Sequence, residues 1–228
     1  MTNTTVAAEI IDFFGLSRVP NDGADLTKVE KLAAAIDSAN YLNTRMYGAQ
    51  RFANDFELLE AGMARRAVPD GLILEFGVYS GRTINHIASL TNERVYGFDS
   101  FKGLPEDWRS EYGKGSFATA SLPTVANNVE LVVGLFDQTL PDFLAKHPQP
   151  VSLLHVDSDL YSSAKTVLTS LKDRIVRGTI IVFDEYFNYV GWRNHEFKAF
   201  QEFVRDGDLR YRYIGAVPFQ LQAGVVID

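Results

Sequence analysis

The chain has 228 residues, 46% of them hydrophobic, and a formal net charge of −7. That surplus of acid argues against nucleic acid as the partner, because polyanion binding needs a concentrated lysine and arginine surface. The lack of cysteine removes disulfides, thiolate zinc sites, iron–sulfur clusters and thiol nucleophiles, so any metal must take oxygen or imidazole ligands.

The chain opens with "MTNTTVAAEIIDFFGL", which lacks the basic start of a leader, and no later stretch approaches the ~20 apolar residues that span a bilayer. A cytoplasmic protein with no membrane partner is the expectation. Residues 1–66 read as an N-terminal helical cap or extension. Leu26, Val29, Leu32, Ala33 and Ile36 recur at helical spacing behind Asp25, a candidate N-cap. Phe52, Phe56, Leu59 and Met63 repeat the pattern, and "VPDG" at 68–71 marks a boundary. The exposed amphipathic segment leaves a homodimer open.

From residue 67 the rhythm becomes that of a single domain running to residue 228. Apolar runs begin at 71, 94, 129, 151 and 178, with helix-like stretches near 82–91, 119–127, 138–146 and 161–175 between them. Continuous apolar strands separated by helices predict a parallel sheet covered on both faces. After a helix near 194–205, "LRYRYIGAV" and "FQLQAGVVID" follow too closely for a helical crossover, which predicts an antiparallel terminal hairpin. The fold class is therefore α/β, Rossmann-like and mostly parallel.

In such a sheet, ligands meet the strand-to-helix turns at the carboxyl edge. The first turn, "LEFGVYSGRT", carries Gly77 and Gly81 without the G-x-G-x-x-G of a pyrophosphate site, and Glu75 stands on an otherwise apolar strand. An acid there suits a cationic ligand better than a pyrophosphate. Asp99, ending the second strand in "GFDS", is placed to accept hydrogen bonds from a ribose diol. Together these residues point to S-adenosylmethionine, a sulfonium nucleoside without phosphates. The expected cofactor set is Glu75, Phe76, Gly77, Tyr79, Ser80, Gly81, Asp99, Ser100, Ser116, Phe117 and Asp157. Phe117 reads either as a platform for adenine or as ordinary core packing, and Tyr79 as a contact for the methionine end.

The blocks "LEFGVYSG", "GFDSFKGLPEDW", "VVGLFDQTLPDFL", "LLHVDSDLYSSAKTVLTSL" and "GTIIVFDEY" resemble, in order, the macrocin O-methyltransferase family of class I S-adenosylmethionine-dependent enzymes, over residues 70–205. The resemblance implies a seven-stranded methyltransferase sheet with a reversed last strand, and methyl transfer to a hydroxyl of a deoxysugar. Vicinal diols such as catechols satisfy the same chemistry.

Asp157 ends the fourth strand, and Asp184 and Glu185 end the fifth. Neighbouring parallel strands finish on one edge, so these carboxylates can converge, and like charges that close call for a cation. An all-oxygen trio suits Mg²⁺. The resemblance likewise implies that Asp157 and Asp184 are divalent-metal ligands, with Glu185 standing where the family more often has aspartate. Asp159 reads either as the N-cap of the helix from Tyr161 or as a further ligand. Two residues are candidates for the general base: Asp157, which the resemblance implies, and His195, which titrates near neutrality. His155 reads as a hydrogen-bonded core residue, and His86 and His147 as helix-surface residues. Trp108, Tyr186, Phe187, Tyr189 and Trp192 read as an apolar wall for the acceptor or as an oligomer contact. An NAD-dependent oxidoreductase and a noncatalytic cofactor-binding relative are the competing readings.

Overall fold

A computed structural model of the protein describes residues 25–228. The first 24 residues of the expected N-terminal extension lie outside the described residues. Helix α1 (Leu26–Thr44) starts where Asp25 accepts a hydrogen bond from Thr27 N at 3.1 Å, as the capping pattern predicts. Its apolar stripe, however, faces solvent: Leu26, Val29 and Ile36 are 69%, 38% and 53% exposed. The helix docks instead through its C-terminal half. Tyr41 packs edge-on against Trp192 and Phe197 and shares a 2.7 Å hydrogen bond with Tyr213, and Ser38 Oγ accepts from Asn188 N. Polar and aromatic partners brought in by the fold decide the buried side, and helical spacing cannot foresee them.

Strand β1 (Gln50–Arg51) and helix α2 (Asp55–Ala64) follow. Asn54 caps α2 by accepting from Glu57 N, while the Glu57 carboxylate accepts from Ala53 N, one residue before the cap. Leu58, Leu59 and Met63 are buried, and Gly62 sits against the sheet side chains of Leu153, Ile180 and Val182.

The expected apolar runs are all strands: β2 (Leu72–Phe76), β3 (Val95–Asp99), β4 (Val129–Val133), β5 (Val151–Val156) and β6 (Ile180–Phe183). Helices α3 (Arg82–Ser89), α4 (Phe136–Lys146) and α5 (Tyr161–Ser170) connect them; α6 (Glu196–Asp206) and the strands β7 (Tyr211–Ala216) and β8 (Ala223–Ile227) complete the chain. The sheet order is β1-β7-β8-β6-β5-β2-β3-β4, parallel from β4 to β6, with β8 antiparallel to both β6 and β7. This is the expected Rossmann-like α/β architecture, with one strand more than the seven expected. The extra strand is β1, two exposed residues pairing parallel with β7, too short to show a period in sequence.

Strand alternation separates two cores. Leu74, Leu154 and Ile181 point to one face with α5 and α6, whereas Ile73, Leu153 and Ile180 point to the other with α2 and α3. The helix expected near 119–127 is absent. Pro123 cannot donate to a helical ladder, and the segment is instead pinned by Asn85, which donates to Thr124 O and accepts from Ala126 N at 3.0 and 2.8 Å. The helix expected at 161–175 ends at Ser170. No described helix is long and apolar enough to cross a membrane.

Glu202 ties α6 to α5. It accepts from Tyr161 Oη at 2.6 Å and pairs with Lys198 and Lys165, and those contacts hold its pKa down from 4.5 to about 2. A depressed folded pKa means stability that is present above the unfolded value and lost as pH falls through the folded one. Between pH 4.5 and about 2 the wild type should therefore lose stability that Glu202→Gln does not lose; parallel acid-unfolding curves for the two would refute this.

Candidate active site

Strand β2 lies between β3 and β5, where the chain reverses its direction of travel across the sheet, and the crevice at such a switch point is where open α/β sheets bind ligands. A cavity of about 510 Å³ opens there, with walls from the Gly77 turn, the ends of β3, β5 and β6, α5 and the long loop after β3. Its floor is set by a close backbone crossing. Asp157 N donates to Phe76 O and Gly77 N to Phe98 O, both at 2.9 Å, and Gly77 has φ +96°. A Cβ on Gly77 would stand 1.6 Å from the carbonyl oxygen of Asp157, so only glycine permits the two turns to touch.

Asp99 closes the turn from the other side. Its Oδ2 accepts from the backbone N–H of Val78 and Tyr79 at 2.9 and 2.8 Å, and its Oδ1 from Phe101 N at 2.7 Å. Tyr79, at φ +46°, and Phe117, at φ +66°, meet edge-on across the rim.

Opposite them stand the acids. Asp157, Asp159, Asp184 and Glu185 all line the cavity. Ligand atoms of His155, Asp157 and Asp184 lie within 4.8 Å of one another. His155 lies near the end of β5 and Asp157 directly after it, two residues on. His155 Nδ1 shares a 2.9 Å hydrogen bond with Glu75 Oε2, Thr83 donates to Glu75 Oε1, and His155 Nε2 is 4.0 Å from Asp184 Oδ1. Gln222 Nε2 donates to that same Asp184 oxygen at 3.0 Å.

Burial, and then the charge of Asp184, raises the pKa of Asp157 and of Glu185 well above the usual carboxylate range. The same two causes push Asp159 up to about 7. Burial opposes the charge on His155, yet contact with Glu75 raises its pKa. Glu185 Oε2 is buried with no hydrogen-bond partner. A divalent cation fits the group of His155, Asp157 and Asp184, where it would relieve crowding that otherwise drives protons onto the carboxylates.

Glu196 braces the cluster from behind. Fully buried at the start of α6, it accepts from Ser158 N at 3.0 Å through Oε1 and from Glu185 N at 3.2 Å through Oε2, so one carboxyl group joins the turns after β5 and β6. Burial pushes its pKa up to about 8, yet glutamine does not reproduce it, because an amide has one accepting oxygen for the two N–H groups. Glu196→Ala should cost about 2–4 kcal/mol in urea unfolding, since it strands two buried N–H groups, and Glu196→Gln about half as much, since it strands one. Equal costs for the two would remove the bridging role.

Residues 74–186 match a protein family described as Methyltransferase domain. No curated protein matches the sequence. Among solved structures, CalS11, a calicheamicin methyltransferase, is 22% identical with a TM-score of 0.58, over 98% of this chain and 91% of that one. The O-methyltransferase NovP is 20% identical at a TM-score of 0.58, over 75% and 78%. TomG from Streptomyces achromogenes, an O-methyltransferase involved in tomaymycin synthesis and solved with S-adenosylmethionine, is 17% identical at 0.52, over 100% and 99%. At these identities the likeness is one of fold.

Around the cavity, the expected cofactor residues divide. Gly77, Tyr79, Asp99, Ser100, Phe117 and Asp157 are on the cavity wall. Glu75, Phe76, Ser80, Gly81 and Ser116 are not. Glu75 is fully buried and spent on Thr83 and His155, and Phe76 stacks on Phe98 in the core. Gly81 begins α3, and Ser116 serves through its carbonyl, which accepts from Leu104 N. The three expected metal ligands Asp157, Asp184 and Glu185 all line the cavity, but the ligand atoms within 4.8 Å of one another are those of His155, Asp157 and Asp184, without Glu185.

Other expectations need correction. Asp159 does not cap α5, whose N-cap is Leu160 without a side-chain hydrogen bond; at φ +60° Asp159 lines the cavity instead. His195 is off the wall, facing the rings of Trp108 and Tyr189, and burial together with the charge of Arg109 lowers its pKa. Tyr186, Phe187, Tyr189 and Trp192 are buried in the core, which leaves Trp108 alone of the expected aromatic wall lining the cavity. Arg109 and Glu196 went unnoticed in sequence because loop and helix-start charges read as surface. His155 had a usable signal, its two-residue spacing from Asp157.

Proposed function

We propose that this protein is an S-adenosylmethionine-dependent O-methyltransferase that acts, with a divalent cation such as Mg²⁺, on a hydroxyl of a small sugar-bearing or diol-containing acceptor. The observation that carries the reading is the convergence of Asp157, Asp159, Asp184 and Glu185 on the cavity that the Gly77 turn opens. The Gly77 turn, Asp99 and the Tyr79–Phe117 rim would hold the nucleoside and methionine portions of the donor. Asp157, Asp184 and either Glu185 or His155 would hold the cation, whose charge neutralises the carboxylates and acidifies a neighbouring hydroxyl.

The residues' own contribution is mainly alignment, and fixing two reactants in line is worth on the order of 7–11 kcal/mol of barrier. A cavity carboxylate, Asp157 or Asp159, would take the hydroxyl proton, since His195 does not reach the wall. The names of the structural relatives support a natural-product or sugar acceptor, CalS11 being described also as a TDP-rhamnose 3'-O-methyltransferase. The wall carries the carboxylates of Asp99, Asp137, Asp157, Asp159, Asp184 and Glu185, which disfavours a nucleic-acid partner.

Calorimetric titration with S-adenosylhomocysteine and with NAD tests the donor, and methyl transfer to a panel of glycosides and catechols with and without EDTA tests the metal and the acceptor. Binding of S-adenosylhomocysteine alone and EDTA-sensitive turnover are expected. Binding of NAD alone would overturn the reading.

A further inference from the structure

The cavity wall carries six carboxylates and one basic side chain, Arg109. Its placement is built rather than incidental. A tight turn, with Trp108 N donating to Tyr112 O at 3.0 Å and Tyr112 N to Arg109 O at 2.8 Å, holds it out from the long loop after β3. Its guanidinium carbon lies 4.1 Å from the ring centre of Trp108, 4.9 Å from that of Tyr112 and 5.4 Å from that of Tyr189. Three rings fix the plane of the group while leaving its edge free, the arrangement in which arginine loses least freedom on binding an oxyanion.

Arg66, Arg82, Arg193, Arg205 and Arg212 all pair with carboxylates. Among the described residues Arg109 makes no salt bridge, and its Nε is buried without a partner. A planar fork of donors on a half-buried side chain, without a carboxylate partner beside a cavity, is matched by a phosphate or carboxylate. Two of its three rings, Trp108 and Tyr189, also face His195, and the third, Tyr112, stacks on Phe117 at the cavity rim.

We propose that Arg109 forms an oxyanion subsite that selects acceptors carrying a phosphate or carboxylate group near the hydroxyl to be methylated. This specificity rests on the methyltransferase reading above, which assigns the rest of the cavity to the donor. The donor's own carboxylate is the rival source of the same chemistry, and the test separates the two.

Inorganic pyrophosphate is the probe, titrated in EDTA so that no metal mediates its binding, into protein with and without S-adenosylhomocysteine. The readout is Trp108 fluorescence, with Trp108→Phe as the control for signal from Trp192. Saturable quenching is expected in the loaded protein, with at least tenfold weaker binding in Arg109→Met and partial recovery in Arg109→Lys. Both variants should bind S-adenosylhomocysteine within about twofold of wild type. Unchanged pyrophosphate affinity in Arg109→Met would overturn the proposal. So would a tenfold loss of S-adenosylhomocysteine affinity in that variant, because the guanidinium would then belong to the donor. Failure of the methyltransferase reading looks different: wild type ignores S-adenosylhomocysteine, while the unloaded protein still reports whether Arg109 binds the anion.

Discussion

Gly77→Ala should be among the most damaging single substitutions in the protein, lowering its stability by more than about 4 kcal/mol and abolishing S-adenosylhomocysteine binding. Two costs combine. At φ +96° an alanine pays for a backbone conformation that L side chains rarely adopt, and its methyl carbon would stand 1.6 Å from the Asp157 carbonyl oxygen. The overlap is with backbone on both sides, so no rotamer change relieves it. Either β2 and β5 separate at their ends, breaking the 2.9 Å bond from Asp157 N to Phe76 O, or the turn shifts and the cavity floor moves with it. Thermal unfolding should fall by roughly 8–16 °C for a chain of this size. A melt within about 2 °C of wild type with intact S-adenosylhomocysteine binding would show that the crossing is not required.

Asp184→Asn should act in the opposite direction on stability while removing function. Asparagine keeps the shape of the side chain and an oxygen for Gln222 Nε2, so the local hydrogen bond survives. The charge of Asp184, however, is a cause of the raised pKa of Asp157, Asp159, Glu185 and Glu196. Neutralising it relieves like-charge crowding, and the metal-free variant should melt at or above the wild-type temperature.

The same change takes away a cation ligand. Mn²⁺ binding, followed by electron paramagnetic resonance, should be lost, and methyl transfer should drop about 100-fold or more, roughly 2.7 kcal/mol of barrier. S-adenosylhomocysteine affinity should hold. Retained Mn²⁺ affinity would refute a metal role for Asp184; a fall in metal-free stability would instead mean that its charge is needed structurally, through His155 or Gln222.

The parallel sheet, its terminal hairpin and the acids at the strand tips are legible from the order of residues alone. Strand patterning is local: alternation, apolar runs and the glycine-marked turns sit within a few residues of one another, so Leu72–Phe76, Val151–Val156 and Ile180–Phe183 were legible without any partner. That Asp157 and Asp184 end adjacent strands on one edge also follows from chain direction alone. Only the tertiary structure decided which neighbours those acids keep. Glu75, legible as a cofactor contact, faces His155 because strand register sets the two opposite each other across β2 and β5. The exposed stripe of α1, Arg109 on its aromatic bed and Glu196 behind the cluster depend on contacts between segments distant in sequence. Such contacts are set by packing and hydrogen-bond satisfaction across the whole fold, and no local periodicity encodes them.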